Sequence, residues 1–177
     1  MRPQLASTRL PKVPIRRRGY ALGLDILTIG ILSAFFGGSF WAQAFVFALG
    51  WWMMRVALVA NNKGQSFGRW AFNMRIIERR QRITPTLLEL TKRETILGIC
   101  AFLAFWGVLH LSPTSAWVLL LMVPLGLDIA SAYANVEQGI AFHDRYSDVS
   151  VVPSQRGYSL DVKIRQLVAE VQDRVKK

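Results

Sequence analysis

Three ionisable side chains interrupt stretches of the sequence that are otherwise apolar: Asp25, Arg55 and Asp128. A charge inside a membrane-spanning helix is costly when it faces lipid. Such residues therefore face the interior of a helix bundle, pair with one another, or mark an ion or proton path. Measured from the cytoplasmic end of its apolar run, each of the three lies about 10 Å deep at 1.5 Å per residue. The spacing predicts an Asp25–Arg55–Asp128 cluster at one depth, in which Asp25 bonds Arg55 and a proton or cation could bind.

The sequence alone also allows these three charges to have separate roles. The Arg55 side chain is long enough to reach the lipid headgroups instead of pairing inside the bundle. Either aspartate could be uncharged and hydrogen-bonded to Thr28 or Ser131. Pairing between helices is favoured over a transport or sensing role, and extension of Arg55 to the headgroups is the least favoured.

The composition places these charges in a membrane protein. Of the 177 residues, 52% are hydrophobic and only 19% are charged, whereas about a quarter of a soluble domain is charged. A helix needs roughly 20 mainly apolar residues to cross the hydrocarbon layer. The predicted fold class is an all-α membrane protein with four transmembrane helices, short cytoplasmic amphipathic helices and a small β element. The four predicted spans are residues 20–36, 40–60, 95–111 and 116–134.

The basic residues predict the orientation of these spans. Of the 22 lysines and arginines, all except Arg55 lie outside the predicted spans, and the net charge is +11. The sequence divides into a basic N-terminal segment (1–19), a membrane domain (20–134) and a tail (135–177). The basic residues occupy the N-terminal segment, the tail and the loop at residues 61–94 within the membrane domain. Positively charged loops stay in the cytoplasm, so both termini and the loop are predicted to be cytoplasmic, against an anionic leaflet. A bacterial inner membrane fits best, with an internal, thylakoid-type membrane as the alternative.

The segments outside the spans carry shorter patterns. Ser66 is a candidate cap for a short helix in the headgroup layer, with Phe67, Trp70, Ala71 and Met74 on one face. Thr84-Pro85 is typical of a helix start. Residues 160–175 have the spacing of an amphipathic helix that rests on anionic lipid or binds a partner.

A small β element is also predicted. Residues 75–77 have strand-like sequence and could form a hairpin with residues 82–83. The run 149–152 is the second candidate for pairing with this strand.

The order of several motifs resembles the RDD family of membrane proteins. Arg18 and Asp25 stand at the start of the first span, and a Gly- and Arg-containing motif follows in the loop. The residues that carry the resemblance are Arg18, Asp25, Gly64-Gln65-Ser66-Phe67-Gly68-Arg69, Met74-Arg75-Ile76-Ile77, Arg93, Gly139, His143-Asp144-Arg145 and Val149-Ser150-Val151-Val152. The resemblance extends over about residues 15 to 152.

The resemblance implies a membrane fold and a second family aspartate, which falls on Asp144 or, alternatively, on Asp128. Asn73 stands where the family often has a small glycine, and Asp148-Val149 replaces the usual Gly-Thr. For function, the resemblance implies a range from ion or solute transport to accessory roles beside membrane complexes.

The remaining chemistry indicates a protein that is not an enzyme. His143-Asp144 lacks a nucleophile, the single Cys100 gives no metal pattern, and no phosphate-binding loop is present, so neither metal nor cofactor is expected. Asp144 and Arg145 are predicted to tie the tail to the basic loop. The leading expectation is an accessory, scaffold or assembly subunit of a larger membrane complex. The alternative is an oligomeric ion or proton-coupled transporter that uses Asp25, Arg55 and Asp128. The expected partners are the bilayer and a membrane protein or a second copy of the chain, with no nucleic acid.

Overall fold

The computed structural model of the chain describes residues 11, 13–36, 39–134, 141–154 and 159–175. Several of the sequence features lie outside the described residues. They are most of the N-terminal segment (1–10 and 12), two positions of the first turn (37–38), Gly139 and parts of the tail (155–158 and 176–177).

The first two long helices match the first two predicted spans. Helix α1 is Ile15–Phe35 and begins five residues earlier than predicted, directly after Pro14. Helix α2, Phe40–Trp52, continues through a π-helical turn at Met53–Ala57 into helix α3, Leu58–Asn61. Together α2, the π-helical turn and α3 form one helix, Phe40–Asn61, of 22 residues.

The short helix α4, Phe67–Ala71, follows the second long helix, and the Ser66 side chain accepts a hydrogen bond from the Arg69 amide as predicted for a cap. Met74 does not lie on the face of this helix, contrary to the prediction. It is the first residue of strand β1, Met74–Glu78, because the chain leaves the helix at Phe72 and passes through Asn73 in a left-handed conformation.

The small β element pairs β1 with strand β2, Val149–Pro153, in an antiparallel register that places Ile76 opposite Val151. The second of the two predicted pairings is therefore confirmed. The hairpin with residues 82–83 is wrong: Arg82 has a positive φ, and Ile83 only accepts a hydrogen bond from the Glu78 amide.

Helix α5, Leu87–Leu109, is capped by Thr86 and Glu89 in a capping box, so the predicted start at Thr84-Pro85 is two residues too early. Its first two turns carry four charged residues, and it is not among the helices apolar enough to span a membrane. Three described helices meet that standard: Ile15–Phe35, Phe40–Asn61 and Ala116–Ala134.

The last of these helices changes character along its length. It starts as a 3-10 helix, Ala116–Met122, and continues as helix α6, Val123–Ala134. Helix α7, Phe142–Tyr146, precedes β2. Helix α8, Leu160–Val175, agrees with the predicted amphipathic helix.

Two apolar cores hold these elements together. One joins the sheet to the adjoining helix ends through Ala21, Val56, Val59, Met74, Ile76, Leu90 and Val149. The other lies among the long helices and contains Ile29, Phe47, Trp51, Leu97 and Ala101. On α1, on the second long helix and on α5, a charged residue separates the two cores. The layer between the cores is therefore polar.

Gly64 has a backbone requirement that only glycine meets without strain. Its φ is +84°, and a Cβ atom would lie 2.3 Å from the Ile76 carbonyl oxygen. We expect Gly64→Ala to lower the free energy of unfolding by about 1–3 kcal/mol, measured by thermal or detergent-induced unfolding. Gly126→Ala is the matched control, because a Cβ there has open space around it. Equal stability of the two variants would contradict this requirement.

Candidate functional site

The polar layer between the two cores is a buried charge cluster. Among the described residues it contains four arginines, four carboxylates and one histidine: Arg18, Arg55, Arg69, Arg93, Asp25, Glu94, Asp128, Asp144 and His143. All except Arg18 are buried. They come from α1, the π-helical turn, α4, α5, α6 and α7, so the cluster joins the long helices to the segments between them.

Asp25 has three hydrogen-bond partners. Its Oδ2 atom accepts from Arg55 Nη1 at 2.6 Å and from Ser66 Oγ at 2.7 Å, and its Oδ1 atom accepts from the Gly68 amide at 2.6 Å. The predicted bond between Asp25 and Arg55 is present. Arg55 is 3% exposed, so its extension to the headgroups, the least favoured alternative, is wrong.

Gly68 permits this arrangement by its lack of a side chain. A Cβ atom there would lie 2.1 Å from the Ala21 carbonyl oxygen. The start of α4 can therefore rest directly on α1 and present an amide to Asp25. Gly68 thus acts on the cluster through its backbone.

Glu94 is the carboxylate that sequence reasoning missed. Its oxygens accept from Arg55 Nε at 2.7 Å and from Arg69 Nη2 at 2.7 Å, and Arg93 also bonds it. Glu94 was placed in the loop, because charges precede it in the sequence and the apolar run follows. The sequence did contain a signal for this role, because Glu94 is an acid beside Arg93 at the boundary of a predicted span.

Arg93 continues the cluster towards α7. Its Nε atom donates to Asp144 Oδ1 at 2.7 Å, and Arg18 Nη1 lies 3.8 Å from Asp144 Oδ2. Asp144 therefore ties the tail to Arg93, which the prediction places in the loop and the structure places in α5. Arg145 was predicted to share that role, but its side chain is exposed, because it points away from the face of α7 that carries Asp144.

Asp128 does not contact Arg55, so the predicted three-residue cluster needs correction. Asp128 accepts from the His143 amide at 3.1 Å, and its Oδ2 atom lies 2.6 Å from His143 Nδ1. Helix α7 places His143 beside Asp128, and the histidine leads to Arg93. Asp25 and Asp128 thus belong to one cluster through intervening residues.

The His143 imidazole has two alternative partners on its Nε2 atom. This atom lies 3.1 Å from Arg93 Nη2 and 3.2 Å from Asp144 Oδ1. An unprotonated Nε2 accepts from Arg93, whereas a protonated Nε2 donates to Asp144. Burial lowers the pKa of His143, but the Asp144 carboxylate and the bond to Asp128 outweigh burial and leave the pKa above its ordinary value.

The charges of the cluster balance when His143 is neutral. Burial raises the pKa of Asp144, but Arg93 and His143 lower it well below its ordinary value. Burial and the neighbouring Arg55 lower the pKa of Arg69 to about 10, against the opposing effect of Glu94. Asp144 and Arg69 thus stay charged at neutral pH.

A small cavity of about 80 Å³ adjoins the cluster and is lined by Arg69, Arg93 and His143 among others. The Nη1 atom of Arg69 is buried and has no hydrogen-bond partner in the described part of the chain. The cavity is polar on one side and large enough for water. It gives this guanidinium a place for its remaining hydrogen bond.

Long apolar helices joined by a buried charge cluster define a multi-pass integral membrane protein. The RDD family model matches residues 13–148, and the chain belongs to the RDD family. No curated protein and no solved structure matches the chain.

The Asp25–Arg55 bond predicts coupled effects of substitution. We expect Asp25→Asn and Arg55→Gln each to lower the free energy of unfolding by about 3 kcal/mol, because each leaves a buried charge short of a partner. The double variant should lose less than the sum of the two losses. Detergent-induced unfolding of the four proteins measures this cycle, with Arg75→Gln, an exposed arginine, as the control. Strictly additive losses would contradict the coupling.

His143 predicts a pH dependence of stability. Its folded pKa is raised, so its stabilising contribution is complete below the ordinary pKa of about 6.5 and is lost as the pH rises through the folded pKa. We expect the melting temperature to fall from pH 6 to pH 9. His143→Gln should flatten this dependence, and an unchanged pH profile in that variant would rule out His143 as its source.

Proposed function

We propose that this RDD protein is a non-enzymatic accessory, scaffold or assembly subunit that docks on a larger membrane complex. It crosses the membrane four times with both termini in the cytoplasm, in a bacterial inner membrane. The docking surface is an apolar groove between α2 and α5. The support comes from the position of the charge cluster, the apolar interior beyond it and the shape of the groove.

The position of the cluster supports four spans. Asp25 lies at the middle of α1, Arg55 near the end of the second long helix, Arg93 near the start of α5 and Asp128 in the second half of the helix Ala116–Ala134. Helices that alternate in direction bring these positions to one side of the bilayer. Beyond Glu94, the apolar part of α5 up to Leu109 is about 22 Å long at 1.5 Å per residue, which suits a span at a slightly thinned part of the membrane.

The interior beyond the cluster supports a structural role over transport. On the far side of the cluster, the described helices are packed by aromatic side chains, with Phe47 stacked on Trp51 and Phe105. Phe102 packs against the same ring of Phe47. An ion path through one copy of the chain would need polar groups along this region. In addition, each carboxylate of the cluster already has a cationic partner or His143.

The groove is the observation that carries the proposal. It has a volume of about 400 Å³ and is lined on α2 by Ala44 and Ala48, and on α5 by Gly98 and Ile99. Small residues let helices approach closely in lipid, where packing replaces the hydrophobic effect as the source of association. The two alanines on the α2 wall therefore leave room for a transmembrane helix of a partner, whereas the Trp51 indole of the same chain covers Gly98 on the α5 wall.

We expect Ala48→Phe to block docking, because Ala48 is exposed at the groove and the larger side chain fills it. The full chain, extracted from its native membrane in mild detergent, should migrate in a complex larger than its homo-oligomer, and the variant should lose that complex. Ala130→Phe, on α6 and away from the groove, should retain it. Native gels with mass spectrometry of the components provide the measurement.

The transporter alternative predicts a different result. A homo-oligomer without other subunits, together with proton or cation flux into proteoliposomes that Asp25→Asn abolishes, would overturn the accessory role. Unchanged complex formation in Ala48→Phe would overturn the groove as the docking surface. The two failures are measured separately.

A further inference from the structure

A large cleft separates the first turns of α1 from the start of α8. It has a volume of about 850 Å³, and its α8 wall is formed by Leu160, Val162 and Ile164. Phe72 closes one end and stacks with Tyr20 of α1. This cleft lies apart from the groove between α2 and α5, and none of the residues that line it belongs to the charge cluster.

The α1 wall of the cleft has a chemical order along the helix axis. Arg16 and Arg17 stand at the first turn, Tyr20 follows one turn later, and Gly23 and Leu27 continue the stripe. From Arg16 to Leu27 the helix rises about 16 Å at 1.5 Å per residue. This length is about half of the 30 Å hydrocarbon layer, which corresponds to one leaflet.

We propose that this cleft binds one anionic glycerophospholipid. The phosphate lies against Arg16 and Arg17, and an acyl chain lies along Gly23 and Leu27. The chemical order of the lining supports this occupant, because the described lining residues are basic at one end, at Arg16 and Arg17, and apolar along Gly23 and Leu27. Tyr20 lies between the basic and apolar parts, at the level where amphipathic aromatic rings are enriched in membrane proteins.

The glycines provide the space for the acyl chain. A Cβ atom added at Gly19 or Gly23 would meet nothing within 4 Å. Larger side chains at these positions would therefore enter the cleft without displacing protein atoms. The proposal rests on membrane insertion of α1 and is independent of the accessory role, since the bilayer itself supplies the ligand.

The test uses the purified full chain and phosphatidylglycerol. Phosphatidylglycerol added to the chain in phosphatidylcholine nanodiscs should raise the melting temperature, and native mass spectrometry should detect one retained lipid. Gly23→Leu should lose both effects, whereas Gly126→Leu, at an equally open glycine of α6, should keep them. Arg16→Gln should weaken the preference for phosphatidylglycerol about fivefold, and Arg75→Gln should leave it unchanged.

Each other outcome bears on the proposal. The melting temperature of Gly23→Leu without phosphatidylglycerol reports whether the variant folds, and Gly19→Leu replaces it if it does not. Retention of the lipid by the folded variant would overturn the site. An equal rise in melting temperature with inorganic phosphate alone would assign the arginines to a soluble anion instead. A dimer that Gly23→Leu disrupts, without any lipid preference, would show that a second copy fills the cleft.

Discussion

The convergence of three arginines on Glu94 is the interaction on which the arrangement of the helices depends. A charge removed from water costs several kcal/mol unless close partners compensate for the lost hydration. Glu94 compensates Arg55, Arg69 and Arg93 together, since Arg55 donates to both of its oxygens and Arg69 and Arg93 donate to Oε1. Arg55 and Arg69 come from two segments outside α5, and the cost of leaving either of them unpaired holds those two segments at a fixed distance from α5.

The short elements outside the long helices complete the same set of contacts. Helix α4 presents the Gly68 amide and the Ser66 hydroxyl to Asp25. The pairing of β1 with β2 holds the chain that follows α7, and α7 places His143 and Asp144 beside Arg93. The sheet therefore matters to the cluster, although it contributes no charged side chain to it. A change in the sheet register would displace α7 and leave Arg93 without Asp144.

The sequence allowed part of this to be predicted. Hydropathy located the long helices, and equal depth along two helices was sufficient to predict the Asp25–Arg55 bond. Depth could not identify the partner of Asp128, because His143 lies on the short helix α7, outside the apolar runs that hydropathy locates. Glu94 was missed because α5 begins eight residues before its predicted span, so that charges assigned to a loop are inside a helix. The prediction that Met74 lies on a helix face is wrong because Asn73, in a left-handed conformation, redirects the chain just before Met74. Apolar spacing alone does not reveal such a change of direction.

Trp51 and Glu94 join the charge cluster to the proposed docking groove. The stability of the cluster therefore bears on the proposed docking function. Trp51 donates from its indole to the Glu94 carbonyl oxygen at 2.9 Å, and its ring lies 4.7 Å from the Arg55 guanidinium carbon. Both Trp51 and Glu94 also line the groove between α2 and α5. The wall of the groove is therefore held by bonds to the cluster. The proposed scaffold role requires a docking surface of constant shape, and the bonds to the buried charges hold this wall of the groove in place.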